Sequence, residues 1–187
     1  MQYPNNIKKS YTKLSVSHSN RGMNLESALN QSNEYYLRND IALIYKKPTP
    51  IGVVDVSYKN HKKVIEKAYF KEQSTLDYNG LYRGKYIEFD AKETLNKTSF
   101  PLSNIHEHQT TQIRDVIRHK GIVFLIIRMN NYNYLLCGED YINYIDSNVR
   151  KSISYDYIKE KAHIIKETYQ PQLDYLKIVD KVYFEGE

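Results

Sequence analysis

A continuous apolar run, GIVFLIIRM at residues 121–129, limits the folds that are open to this chain. A run of this length, rich in β-branched residues, is typical of a strand that is covered on both faces. It is far too short to cross a bilayer as a helix. The run therefore predicts a layered fold in which helices flank a mixed sheet, of class α/β or α+β.

The composition agrees with one folded domain and excludes several classes of protein. Hydrophobic residues make up 41% of the 187 residues, which supplies a core and excludes wholesale disorder. The single cysteine, Cys137, excludes a disulfide framework and a multi-cysteine zinc ribbon. Residues 1–20 lack apolar periodicity and are interpreted as a flexible basic arm without a secretory signal, ahead of one domain at 21–187. With a net charge of +5, we expect a cytoplasmic, modestly basic protein without a membrane segment.

Apolar spacing and turn residues predict the other elements. A helix is expected over roughly 22–37, from apolar residues on one stripe. Ser103 is expected to cap a second helix over about 104–120, and Gly121 is expected to end it. Asn79-Gly80 between two β-rich runs predicts a hairpin turn. The remaining predictions are strands at 41–47, 51–58 and 131–137, a segment at 64–72 that fits strand or helix, and helical segments at 158–167 and 175–184.

Tyrosine often lies beside a cation in this sequence. The chain has 19 Tyr and no Trp, and motifs such as YKK (45–47) and YRGKY (82–86) place Lys or Arg next to the ring. Interleaved cations and flat rings can hold phosphates and stack on exposed bases, which suits a nucleic-acid-binding protein. The pattern equally fits ordinary strand tyrosines separated by snorkelling lysines. Composition leaves both interpretations open.

Two acidic residues and a lysine converge across the predicted hairpin. Because strand side chains alternate between faces, Thr75 and Asp77 share one face and Leu76 points to the other. Asp90 and Lys92 likewise share a face of the next strand. Two carboxylates gathered in a partly buried place repel each other unless a cation lies between them. Mg²⁺ or Mn²⁺ suits carboxylate oxygens, and a neighbouring lysine can stabilise charge on a phosphate, so the pattern indicates metal-dependent phosphodiester cleavage.

The string of Asp followed by Asp-x-Lys is weak evidence by itself. An exposed hairpin in which Asp90 and Lys92 pair in solvent, at a gain of about 0–1 kcal/mol, would show the same letters. Gln109 strengthens the metal interpretation, because it lies with Ile105 and Ile113 on the helix stripe that should face the sheet. A buried amide needs a partner, and a metal ion or its water would serve. A bond to backbone at the helix–sheet junction is the alternative for Gln109.

Three further reactive side chains have simpler interpretations. His106 and His108 flank Glu107, but two such histidines diverge on a helix and lack the cysteines of a zinc site. They are expected at the surface or against phosphate. Cys137 lies in an apolar strand without an evident base, so we expect a buried inert thiol.

Seven segments, in order from about residue 20 to 184, carry a resemblance to a known family: NRGMNLE (20–26), NEYY (33–36), KKPTPIGVV (46–54), AYFKEQSTLDYNGLYRGKYIEFDAKET (68–94), SFPLSNIHEHQ (99–109), RKSI (150–153) and DYLKIVDKVY (174–183). Together they resemble the RecU family of Holliday junction resolvases. The resemblance implies an α/β, restriction-endonuclease-like mixed sheet flanked by helices, with a protruding β stalk. It also implies a Mg²⁺-dependent homodimer, with Mn²⁺ as a second usable ion, that places paired nicks in four-way DNA junctions during recombination and repair. Recombinase or branch-migration proteins are its expected protein partners.

The resemblance also implies roles for individual residues. Its metal ligands fall on Thr75, Asp77, Asp90 and Gln109. Its transition-state lysine falls on Lys92, which makes Asp77, Asp90 and Lys92 the catalytic residues, and Glu26 is placed near the metal through water. The stalk, at about 46–72, enters the open centre of the junction. With Arg83 beyond the stalk, the expected DNA-binding residues are Lys46, Lys47, Lys62, Lys63, Tyr69, Phe70 and Arg83.

Two positions depart from the family pattern. Asp90 stands where the family has Glu, with the neighbouring acidic position reversed as Glu88, and Leu76 stands where the family has a second Thr. The shorter carboxylate should move the ion by about an ångström, and a misplacement on that scale can cost ~10²-fold in rate. Two alternatives to an active resolvase therefore stay open: a cleavage-impaired, architectural protein that binds four-way junctions, and a related nuclease with another DNA substrate.

Overall fold

A six-stranded mixed sheet forms the centre of the computed structural model, which describes residues 24–71, 75–147 and 150–185. The strand order is β1-β4-β5-β7-β8-β10, and only β5 and β7 run parallel among these neighbours. The strands are β1 (Leu43–Lys46), β4 (Tyr78–Tyr82), β5 (Lys85–Glu93), β7 (Ile122–Met129), β8 (Tyr132–Cys137) and β10 (His163–Ile165). The predicted basic arm at 1–20 lies outside the described residues.

Helices cover both faces of the sheet, as the apolar run predicted. One face packs against α1 (Leu25–Arg38) and α5 (Leu176–Tyr183), and the other packs against α2 (Glu107–Arg118), α3 (Gly138–Ser147) and α4 (Tyr155–Lys161). β7 lies between the two layers and sends Phe124 and Ile126 into the first core and Val123, Leu125 and Ile127 into the second. The α/β class with a helix-flanked mixed sheet is confirmed.

A long hairpin stands apart from this core. It consists of β2 (Ile51–Lys59) and β3 (Lys62–Phe70), which pair only with each other and turn at Asn60 and His61 with positive φ angles of 50° and 61°. Two consecutive left-handed residues are typical of a tight two-residue hairpin turn. Every residue of β3 is exposed, so this hairpin, hereafter the stalk, projects into solvent. The ambiguous segment at 64–72 is thus a strand as far as Phe70.

A second, smaller sheet lies beside α4. It pairs β6 (Ser99–Pro101) with β9 (Ser152–Ser154), and a 3₁₀ turn at Leu102–Asn104 leads from β6 towards α2. Sequence patterns did not indicate these three-residue strands or α3. Within the described ranges, no helix has the length and apolar character needed to cross a membrane.

The hairpin turn predicted at Asn79-Gly80 is wrong. Both residues lie inside β4, paired with β1 on one side and β5 on the other, and the chain turns at Arg83 and Gly84, whose φ angles are 47° and 77°. Gly80 is needed for close approach, because an ideal Cβ there would lie 1.9 Å from the Leu43 carbonyl oxygen. Glycine is required at position 80 because β1 and β4 approach closely there, and the turn begins three residues later, at Arg83.

We expect Gly80→Ala to destabilise the protein by about 1–3 kcal/mol, because the new methyl group pushes β1 away from β4. Urea denaturation followed by circular dichroism measures the loss. Gly84→Asn is the matched control, since Asn tolerates a left-handed turn position and nothing lies within 4 Å of the added Cβ. A Gly80→Ala protein as stable as the control would contradict the close approach of the two backbones.

The predicted boundaries of two helices also need correction. α2 begins at Glu107 with His106 as its N-cap, rather than after Ser103, and the left-handed residue at its end is Lys120 rather than Gly121. The helical segment predicted at 158–167 is split: α4 ends at Lys161 and the chain continues as β10. Pairing of β10 with β8 explains the split, because His163–Ile165 has little helical preference and its isoleucines favour a strand at the edge of the sheet.

Candidate active site

β5 carries the chemically reactive residues of the fold on one face. Ile87 and Phe89 enter the core under α1 and α5, so alternation turns Glu88, Asp90 and Lys92 towards α2. Glu88 and Asp90 are fully buried there. The shared face predicted for Asp90 and Lys92 is therefore present, at the middle and end of a central strand.

Asp90 is held by two of the predicted site residues. Gln109 Nε2 donates to one carboxylate oxygen, Oδ2. Lys92 Nζ lies 3.3 Å from the other, Oδ1, outside hydrogen-bonding geometry, and Oδ1 is buried without a hydrogen-bond donor among the described residues. The amide and the ammonium thus approach Asp90 from α2 and from β5 itself.

The first turn of α2 aims Gln109 at Asp90. The Oε1 atom of Gln109 accepts from the His106 backbone N–H at 3.1 Å, as the third helical residue does in a capping box. This leaves Nε2 directed at the sheet. The backbone interpretation of Gln109 is therefore realised at Oε1, while the bond from Nε2 to Asp90 belongs to neither sequence interpretation.

The electrostatics of Asp90 favour a bound cation. Burial raises the pKa of Asp90 to about 6, Lys92 opposes that rise, and the nearby charge of Asp77 adds to it. A buried carboxylate with an unbonded oxygen is an incomplete site, and a hard divalent ion supplies what is missing. Among the residues that the structure describes, no three His, Cys, Asp or Glu side chains group to hold a metal. An ion that takes one or two carboxylates and keeps several waters, as Mg²⁺ does, would fit this donor set.

We expect Asp90→Asn to stabilise the metal-free protein at neutral pH. The folded-state pKa of about 6 lies above the ordinary value of 3.8, so ionisation of Asp90 costs stability as pH rises through 6. The variant should melt roughly 5 °C higher than wild type at pH 8, with little difference near pH 4. Thermal unfolding in a chelator across pH 4–8 measures the gap. A gap that does not widen with pH would contradict the burial cost.

Asp77 and Thr75 occupy irregular backbone just before β4, not a strand. The β4–β5 register ends at Tyr78 opposite Phe89, and the charge of Asp77, one residue earlier, is near enough to Asp90 to raise the pKa of that carboxyl. Asp77 lines a cavity of about 120 Å³ whose other walls include Glu26 and Glu93. Thr75 Oγ1 instead accepts from Lys47 Nζ at 2.9 Å.

The expected orientation of Leu76 is wrong. Leu76 is fully buried in the core under α2, which is the same side of the sheet as Asp90. Strand alternation does not apply, because the backbone becomes a regular strand only at Tyr78. The position where the resemblance implied a second Thr is thus a packing position here, beneath the helix that carries Gln109.

Sequence reasoning missed a buried ion pair next to this site. Glu88 receives Lys47 Nζ at 2.5 Å, the Leu76 backbone N–H at 3.3 Å and Gln112 Nε2 at 2.7 Å. Lys47 lies 41 positions away in the sequence, so no local spacing indicates the pair. The available signal was that Glu88 lies two residues before Asp90 on the same strand and therefore shares its face.

The predicted DNA-binding residues fall into two groups. Tyr69 and Phe70 are 57% and 80% exposed at the base of the stalk, and Lys62 and Lys63 lie near its tip. The remaining three lysine and arginine side chains are engaged within the fold. Lys46 pairs with Glu26 at 2.5 Å, Lys47 contacts Glu88, and Arg83 contacts Asp180 at 3.0 Å and lies 4.4 Å from the centre of the Phe184 ring.

Other reactive side chains agree with their simpler interpretations. His106 is exposed and His108 is half-buried, as expected, but the predicted divergence of the two side chains is wrong, because their rings stack 5.5 Å apart at the start of α2. Burial raises the pKa of the Cys137 thiol to about 11, which disfavours a reactive thiolate. Glu26, in the first turn of α1, lines the cavity beside Asp77 while it pairs with Lys46.

The fold and the site together define the class. A helix-flanked mixed sheet that presents Asp90 and Lys92 on one face of a central strand, with Gln109 reaching Asp90 from the covering helix, is restriction-endonuclease-like. The family model described as "RecU: Recombination protein U" matches residues 20–181, and the chain belongs to the RecU family.

Named relatives match over nearly the whole chain. A "Holliday junction resolvase RecU" of Geobacillus sp. (strain WCH70) is 50% identical over 184 residues, covering 95% of this chain and 92% of the relative. That of Oceanobacillus iheyensis is 47% identical over 196 residues, covering 98% and 100%. That of Bacillus subtilis (strain 168) is 48% identical over 176 residues, covering 92% and 85%.

Proposed function

We propose that this protein is an endonuclease that resolves Holliday junctions by paired nicks in homologous recombination and DNA repair. The observation that carries the proposal is the near full-length match to relatives that are named Holliday junction resolvases. The contacts around Asp90 support it, because an acidic residue, a lysine and an amide come together at one point of the sheet.

The proposed catalytic residues are Asp77, Asp90 and Lys92, and the proposed cofactor is Mg²⁺, with Mn²⁺ as a substitute. Asp77 and Asp90 would hold the ion with Gln109, Thr75 completes the proposed ligand set, and Glu26 acts through water. When bound, such an ion polarises the scissile phosphate and makes its water more acidic. Lys92 then offers an ammonium to the charge that grows on the phosphate oxygens. Without an ion, Gln109 holds the Asp90 carboxylate through Nε2; as a ligand it would offer its amide oxygen to the ion in place of the bond from the His106 backbone N–H.

We propose that DNA is bound by the stalk and by cations beside it. Tyr69 and Phe70 offer exposed rings for unstacked bases, and Lys62 and Lys63 offer ammonium groups for phosphates. Lys46, at the end of β1, and Arg83, in the β4–β5 turn, are proposed phosphate contacts that would exchange their present acidic partners for DNA. Binding through such cations should weaken steeply with salt.

We propose a homodimer as the working form. A four-way junction has approximate twofold symmetry, so a symmetric dimer would present one site to each of two like strands. Recombinase or branch-migration proteins are the proposed further partners. A cytoplasmic location is proposed with them, since the lone Cys137 requires no oxidising compartment.

The experiment that tests the proposal is a nicking assay on a synthetic four-way junction, with Mg²⁺, with Mn²⁺ and with chelator. Symmetric nicks that need the divalent ion support an active resolvase. Binding without nicks in both ions would instead identify the cleavage-impaired, architectural alternative, which the names of the relatives do not favour. Equal cleavage of a linear duplex of the same sequence would identify a nuclease with another substrate.

A further inference from the structure

We propose that Lys47 and Glu88 form a positioning pair that holds the Thr75–Asp77 segment against β5, beside Asp90. The inference rests on the proposed function, because it assigns the pair a role in that same site. It concerns residues that touch neither the ion nor the DNA. Lys47 then serves as an internal strut rather than as a phosphate contact.

Glu88 is the fixed end of the pair. Its side chain is fully buried on the α2 face of β5, two residues before Asp90. One oxygen, Oε1, accepts from Lys47 Nζ and from the Leu76 backbone N–H, and the other accepts from Gln112 of α2. A buried carboxylate with this many donors is locked in place, since loss of any partner leaves charge unpaired.

Lys47 is the reaching end of the pair. Its ammonium donates to Thr75 Oγ1 at 2.9 Å as well as to Glu88, and its backbone N–H donates to the Asp77 carbonyl oxygen at 2.7 Å. Lys47 and Glu88 therefore contact Thr75, Leu76 and Asp77 in turn, through a side chain, a backbone N–H and a backbone C=O. Each of these three residues thus makes one hydrogen bond to the pair.

This pattern is what a positioning role requires. The segment lies before β4 begins, so it has only part of the strand pairing that would otherwise fix it. Asp77 must nevertheless stay near Asp90 for the two carboxylates to share an ion, and its charge already acts on Asp90. The pair provides the missing restraint, and the lysine lies directly before the Pro48-Thr49-Pro50 stretch that leads into the stalk.

The location of Glu88 separates this role from DNA binding. A fully buried carboxylate can neither touch DNA nor repel it at short range. If Lys47 contacts phosphate, only its own substitution should weaken junction binding. If the two residues act as one unit, substituting either should damage catalysis equally and leave junction affinity unchanged.

The test uses Lys47→Met, Glu88→Gln and the double variant, with Lys159→Met as a control lysine that pairs with Asp156 on the surface. Three quantities are measured on the full chain. They are the single-turnover nicking rate at saturating four-way junction with Mg²⁺, the junction Kd in chelator, and the affinity of the metal-free protein for Mn²⁺ by electron paramagnetic resonance.

We expect each single variant to nick about 10²-fold more slowly, because Asp77 is displaced on the ångström scale. Affinity for Mn²⁺ should fall by about 10-fold or more, as it does when residues that orient metal ligands are lost. Junction Kd should stay within about twofold, and the double variant should be no worse than either single one, because the residues act as a unit. The Lys159→Met control should match wild type in all three.

Two results would overturn the inference. One is a junction affinity that falls in Lys47→Met but not in Glu88→Gln, which makes Lys47 a phosphate contact. The other is an unchanged rate and Mn²⁺ affinity in folded variants, which makes the pair a stabilising contact only. If a single variant fails to fold, the double variant decides, since it removes both charges and leaves neither of them unpaired. If wild type nicks no junction, the proposed function fails, and the Mn²⁺ measurement still judges the pair.

Discussion

Asp77→Asn should slow nicking of a four-way junction by about 10³-fold, while junction affinity in chelator stays close to that of wild type. The substitution keeps the size and hydrogen-bonding reach of the side chain and removes its charge. Asp90 would then be the only acidic residue of the proposed catalytic set. An ion held by one carboxylate is bound more weakly, and the charge balance against Lys92 is lost. The measurement is single-turnover nicking with saturating junction across a range of Mg²⁺ concentrations.

Asp156→Asn is the matched control for this variant. Asp156 lies on α4, where it pairs with Lys159 at 2.7 Å on the surface, and it has no proposed role in the site. The control should nick at the wild-type rate. Wild-type nicking by Asp77→Asn at every Mg²⁺ concentration would show that the site has been assigned to the wrong residues.

Removal of the stalk should abolish junction selectivity while the sheet stays folded. Pro50 and Lys71 are joined by a backbone hydrogen bond of 2.9 Å, so a short Gly-Ser linker can replace residues 51–70 without moving the strands on either side. The stalk is almost wholly exposed, and little core is lost with it. Loss of the Tyr69 and Phe70 rings and of the stalk lysines should weaken four-way junction binding by about 10²-fold or more.

Fluorescence anisotropy with labelled junction and labelled linear duplex measures this change. If the stalk enters the open centre of a junction, as the family resemblance implies, the affinity for duplex should fall much less than the affinity for junction. A thermal melt within a few degrees of wild type serves as the control for folding. Undiminished preference for the junction would place recognition elsewhere in the fold.

The features that sequence predicted well are those set by burial. The run at 121–129 is apolar because β7 is enclosed by helices on both faces, and this environment can be inferred from composition alone. Asp90 and Lys92 could be placed on one face because they lie within a regular strand. In both cases a local periodicity carries the structural information.

The features that it predicted wrongly depend on neighbours that are distant in sequence. Asn79-Gly80 resembles a turn sequence, but glycine is needed at position 80 because β1, more than thirty residues earlier in the chain, packs too closely for a side chain. Leu76 was assigned a face by strand alternation, although the backbone is irregular there. The Lys47–Glu88 pair has no local sequence signal, because Lys47 lies between β1 and the stalk and Glu88 lies in β5, 41 residues later.

Gln109 has two structural roles, because it caps α2 and contacts Asp90, and the active site therefore depends on where this helix begins. The same amide that closes the first turn of α2 also meets Asp90. The start of that helix and the surroundings of the carboxylate therefore depend on the same side chain. A chain whose α2 began one residue earlier or later would carry every reactive group and still lack a competent centre.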